Sequence, residues 1–256
     1  MLGRTLARYL SKPSASYEPL ATSTPDELRR ALRPCDVLLV EGNTRISTAI
    51  KYLTQSTWSH AAIYVGDALA REREGEPLGL IEADLLDGVR AAPLSAYERF
   101  HTRICRPVGL SDADREKIVS EAIACIGQTY DLKNVLDLGR YLLPTPPVPA
   151  QLRRRMIALG SGEPTRAICS TLIARLFQSV KYPILPEVET LPAPRAGCEG
   201  CVQEILHIRH HSLFAPRDFD ISPYFQILKP SIEGDFDYKN LVWGGRHDTL
   251  RGERVA

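Results

Sequence analysis

The chain has 256 residues, with 32 Lys plus Arg against 31 Asp plus Glu and a formal net charge of +1. That near-balance excludes a protein whose main work is coating nucleic acid or an acidic membrane surface. A hydrophobic content of 44% with 25% charged residues allows a sizeable core and excludes disorder of the whole chain.

The N-terminal segment 1–22 reads as weakly ordered, with a short amphipathic helix around Leu2–Leu10. It has basic residues but neither a long apolar run nor a cleavage site, so no secretory signal is read and a cytoplasmic protein is expected. No stretch approaches 18 consecutive apolar residues, so no transmembrane helix is expected. One domain is expected over residues 23–246, followed by a polar tail over 247–256.

Thr24-Pro25-Asp26-Glu27 is a helix start, with a capping Thr, Pro at the first helical position and Glu for the capping box. That helix runs to about Leu32. Asp36–Val40 reads as a strand, Ile46–Leu53 as a helix, and Ser59–Val65 as a second strand ended by Gly66-Asp67. Leu80–Ala83 and Val89–Ala91 read as strands joined by a turn at Asp87-Gly88, and Thr102–Arg106 as another strand. Ser111 opens a helix with Ile118, Val119, Ala122 and Ile123 at helical spacing, and Gly127 stops it. Asn134–Leu143 is a shorter helix. Residues 143–149 and 182–194 are proline-rich and read as irregular loops, on either side of a strongly apolar helix at Ile168–Val180. Arg153–Arg155 reads as a solvated face, Ala215–Phe225 as a packing loop, and Phe225–Leu228 as the last strand. Strands come first and helices after, an α+β order.

Three residues invite chemistry. Cys169 opens the apolar helix, where the positive end of the dipole and free N–H groups favour thiolate. A buried structural cysteine is the alternative there. His60 opens a strand; it is either a hydrogen-bonded core histidine or the base that a thiol nucleophile needs. Glu82 lies between apolar residues on the next strand, so it points either to solvent or at a partner such as His60.

A metal reading competes for other residues. Cys198 and Cys201 form a C-x-x-C, and an extended run over 204–212 would put His207 and His211 on one face, with His210 on the other. Two thiolates and two imidazoles could fill a tetrahedral zinc site. The other reading is a loop with two reduced thiols, since the ligand spacing is not that of ordinary zinc modules.

The motif Ser59-His60-Ala61-Ala62-Ile63-Tyr64-Val65-Gly66, with Asp36-Val37-Leu38-Leu39 before it, resembles the histidine strand of NlpC-type papain-like hydrolases. In ordinary members the Gly-x-x-Tyr and Cys-Ser segments precede the histidine. Here Gly127-Gln128-Thr129-Tyr130 and Cys169-Ser170 follow it. That rotated order resembles the circularly permuted branch, the YiiX/YaeF-type amidases, which are similar to the lecithin:retinol acyltransferase group. The likeness spans roughly residues 33–230. Cys35 departs from it, replacing the usual glycine before Asp36.

The resemblance implies a papain-like α+β fold, circularly permuted, with an antiparallel sheet packed against the nucleophile helix. It implies a Cys169-His60-Glu82 triad, with Tyr130 and Ser170 near the oxyanion or lining the substrate, and no cofactor. The expected substrate is a peptide, another amide, or an acyl lipid on the same triad. A non-catalytic binding module is the reading from outside enzymology.

Overall fold

The computed structural model describes residues 8–13, 20–21, 23–69, 76–84, 86–129, 168–192, 197–198, 200–230 and 239. The expected helix at 134–143, the 143–149 loop, the Arg153–Arg155 run and the tail at 247–256 lie outside the described residues. Of the N-terminal segment, Leu10 is fully buried and Pro13 bridges Thr44.

Helix α1 (Pro25–Ala31) starts on the capping box read from the sequence: Thr24 accepts from the Glu27 N–H, and the Glu27 carboxylate accepts from the Thr24 N–H at 2.7 Å. Strand β1 (Val37–Val40) is buried along its whole length. Helix α2 (Arg45–Thr54) follows, capped by Thr44. Then come β2 (His60–Tyr64), β3 (Leu78–Asp84), β4 (Gly88–Pro93), a 3-10 turn at Leu94–Tyr97 and β5 (Thr102–Pro107). Helix α3 (Asp112–Ala124) is capped by Ser111.

Beyond the undescribed stretch lie helix α4 (Ile168–Ser179), β6 (Glu187–Pro192), β7 (Val202–His207), a 3-10 turn at His211–Leu213, helix α5 (Pro216–Asp220) and β8 (Phe225–Leu228). Six strands form one antiparallel sheet in the order β4-β3-β2-β1-β5-β8, and β6 and β7 form a separate two-stranded ribbon. The molecule is α+β.

Both faces of the sheet are covered. Leu39, Ala61, Ile63, Ile81 and Ala83 share a core with Leu172, Ile173, Leu176 and Phe177 of α4. Leu38, Ala62, Leu80 and Ile104 pack on the opposite face with Leu28 and Leu32 from the α1 region and with Leu94 and Tyr97. The period-2 alternation of a strand sorts these residues to the two faces.

Three expectations need correction. Residues 187–192 are a strand, not part of an irregular loop, because Pro192 falls at the strand's last position, where a missing N–H costs little. The expected extended run over 204–212 ends at His207 and turns 3-10 at His211, so no single strand face carries His207 and His211. The expected packing loop 215–225 contains α5. There Asp218 accepts from the Ala215 N–H, while Asp220 binds Trp58 and Arg103 instead of capping.

Candidate active site

Register builds the site. Ala62 pairs with Glu82, and Glu82 with Arg90, across β2, β3 and β4. Directly opposed residues share a face, and His60 lies two positions before Ala62. His60, Glu82 and Arg90 therefore occupy one diagonal at one end of the sheet. The turn before β4 requires a glycine: Gly88 has φ +74°, and a Cβ there would lie 2.3 Å from the Gln128 carbonyl oxygen. Hydrogen bonds from the Val89 N–H to the Gln128 carbonyl and from the Gly127 N–H to the Val89 carbonyl dock the end of α3 beside β4. The expected Gly127–Tyr130 segment thus reaches the start of the Arg90 strand. Tyr130 itself lies outside the described residues.

Glu82 is only 3% exposed, and three donors surround it. His60 Nε2 donates to its Oε2 at 2.6 Å, and Arg90 Nε to its Oε1 at 2.9 Å. The Tyr97 hydroxyl donates to Oε2 as well. Burial alone would raise this carboxyl, yet the His60 and Arg90 partners hold it below the usual carboxylate range. The expected Glu82–His60 contact is present.

Cys169 is the second residue of α4 and is buried. Its N–H is among the first four of the helix, which have no intrahelical partner. The thiol and the His60 ring lie close enough to shift each other's protonation. Since Nε2 is committed to Glu82, Nδ1 is the nitrogen left for sulfur. Burial pushes the Cys169 thiol up, but the His60 imidazolium, its hydrogen bond and the Ala61 N–H outweigh burial and bring it below its ordinary value. Burial likewise pushes His60 down, and the Cys169 thiolate and Glu82 outweigh it and raise the imidazole. The two shifts are opposite in sign, each group favouring the charged form of the other. Ser170 is fully buried, with its hydroxyl 3.9 Å from the thiol.

Cys35 and Cys105 differ from Cys169. Burial pushes the Cys35 thiol up to about 12 and raises Cys105 further still. Cys35 also holds φ +72°, a left-handed conformation that glycine adopts more readily than other residues.

Two contacts were missed. Arg90 was missed because the turn was read at Asp87-Gly88, whereas Asp84 pairs with Gly88 and so sets Arg90 opposite Glu82. Tyr97 arrives from a 3-10 turn with no periodic signal. At the candidate zinc residues, Cys198 and Cys201 are joined in a disulfide rather than free as the reduced thiols expected, and His207 pairs with Glu189 at 2.7 Å. Among the described residues no group of three or more His, Cys, Asp or Glu side chains is placed to hold a metal ion. Also among them, no helix is long and apolar enough to cross a membrane.

No family model matches the chain, and no curated protein matches it. Among solved structures, one described as metalloprotein yiiX from Escherichia coli O157:H7, DUF1105, aligns over 83% of this chain and 98% of that chain, with 14% identity and a TM-score of 0.43. At this level of similarity, what the site does has to come from its own geometry.

Proposed function

We propose that the protein is a thiol hydrolase of permuted papain-like type, cleaving an amide bond through an acyl-enzyme on Cys169. The observation that carries this is the Glu82 carboxylate on His60 Nε2 at 2.6 Å, which leaves the other ring nitrogen for the Cys169 thiol that His60 draws below its ordinary value. The Cys169 thiolate attacks the carbonyl carbon, and the oxyanion forms beside the N–H groups at the start of α4. Imidazolium His60 gives its proton to the amine as the C–N bond breaks. Water then attacks the thioester, losing a proton to His60. The carboxylic acid leaves and the thiolate–imidazolium pair returns. Glu82 stays ionised throughout and holds the ring in the tautomer that leaves Nδ1 facing sulfur. The same residues would serve a lipid ester, with transfer to another acceptor in place of water.

Alkylation by iodoacetamide across pH, read at each cysteine by peptide mass spectrometry, tests this in wild type and His60→Ala. Cys169 is expected to react at least about tenfold faster than the other thiols below pH 7, and the substitution to remove that advantage. No advantage in wild type, or one that survives His60→Ala, overturns the proposal. A panel of N-acyl amide and lipid ester substrates then separates amidase from lipid chemistry, and Cys169→Ala abolishes turnover of whichever is cleaved.

A further inference from the structure

We infer that Tyr97 is a positioning residue for this site: its hydroxyl, donating to the same Glu82 oxygen that accepts from His60, holds the carboxylate in the arrangement that reaches the imidazole. The inference rests on the triad proposed above and deepens it.

A glutamate side chain has three rotatable bonds, and Glu82 must bring one oxygen to His60 Nε2 from the neighbouring strand. Left alone, its carboxylate would have a choice of partners, because Arg90 offers a full positive charge opposite it and donates to Oε1. A carboxylate drawn wholly to Arg90 would abandon the ring. Tyr97 opposes that by donating to Oε2, so each oxygen has its own anchor.

The tyrosine is itself fixed. It is 9% exposed, lies in the core with Leu94 and Leu80, and its ring sits edge-on to Phe100 at 6.3 Å. It also runs alongside the His60 ring, with centroids 6.0 Å apart and planes 29° from parallel, which limits the tilt of the imidazole. A tyrosine hydroxyl donates a proton without carrying charge, so it anchors an anion without competing with imidazolium for it. The charged and titratable groups facing Glu82 are His60 from β2, Arg90 from β4 and Tyr97 from the 3-10 turn. Arg90 is shared in turn with Asp84 and Asp87.

The test follows the thiolate absorbance of Cys169 against pH, taken as wild type minus Cys169→Ala. It is repeated for Tyr97→Phe, Glu82→Gln and the double variant, each against its own Cys169→Ala control. Near-ultraviolet circular dichroism confirms that each is folded. Tyr97→Phe keeps the ring and removes only the hydroxyl. Its thiolate formation is expected to move up by about one pH unit, with about a tenfold slower alkylation at pH 7. In the Glu82→Gln background the same substitution is expected to add nothing, because there is no carboxylate left to aim. A wild-type-like profile for Tyr97→Phe, or an equal shift in both backgrounds, overturns the inference while the triad stands. Absence of neutral-pH thiolate in wild type overturns the triad itself. Should Tyr97→Phe fail to fold, Tyr97→Met, which also lacks a donor, is put through the same titration. Its expected profile is shifted up like that of Tyr97→Phe, and a wild-type-like profile in that variant overturns the inference.

Discussion

Glu82 is a buried charge whose partners decide its protonation. Its carboxyl is shifted down despite burial, so it contributes stability that is present above its ordinary value of 4.5 and is lost as pH falls through its folded value. His60 runs the other way: a raised imidazole contributes stability present below 6.5 and lost as pH rises through its folded value. Glu82→Gln is therefore expected to lower stability by about 1–3 kcal/mol at pH 6, and the gap should close as the pH is taken below 4.5. Calorimetry from pH 3 to 7 reads this; a gap that stays constant with pH means that the charge is not what matters. At this scale the sequence was informative. A glutamate between apolar neighbours needs a partner, and His60 on the adjacent strand was the nearest group able to use it. Tyr97 stayed hidden because no rule of spacing ties a 3-10 turn to a residue fifteen positions earlier.

At the scale of elements, α4 and α5 differ in what holds them. Helix α4 is long and strongly apolar, and that apolar run alone revealed it. Helix α5 has five residues, too few to show a period or to stand by itself. Tertiary anchors define it: Arg217 donates to the Thr54 carbonyl, and Asp220 accepts from Trp58 Nε1 at 3.0 Å and Arg103 Nη1 at 2.8 Å. Trp58 is buried just before the His60 strand, so these bonds also brace that strand. Asp220→Ala leaves the buried indole N–H unpaired, and a loss of about 1–3 kcal/mol in urea unfolding is expected. A loss of a few tenths would mean that α5 is held by Phe219 packing alone. The ribbon strand β6 escaped the sequence for a related reason. All its residues are exposed, so no burial contrast marked it as a strand.

Over the whole molecule, the sheet and α4 carry the site, whereas the β6–β7 ribbon exposes both its faces. The Cys198–Cys201 disulfide lies in the connection between the two ribbon strands. The double substitution Cys198→Ser, Cys201→Ser is expected to speed amide exchange across residues 187–207 and to leave the alkylation rate of Cys169 within about twofold, since local openings need not reach the core. A large fall in that rate would show that ribbon and site are coupled. The antiparallel α+β class was legible from the order of elements, while the edge pairing of β5 with β8 was not, because no local pattern announces a partner so far along the chain.

That edge pairing bears on how the protein is made. Strands β1 to β5 leave the ribosome first and can assemble a sheet together with its histidine and glutamate. The outer edge of β5 then waits, its backbone groups unpaired, until residues 225–228 have been synthesised. During that interval, which lasts beyond the synthesis of α4, the nascent chain offers an open strand edge to self-association and to chaperone capture.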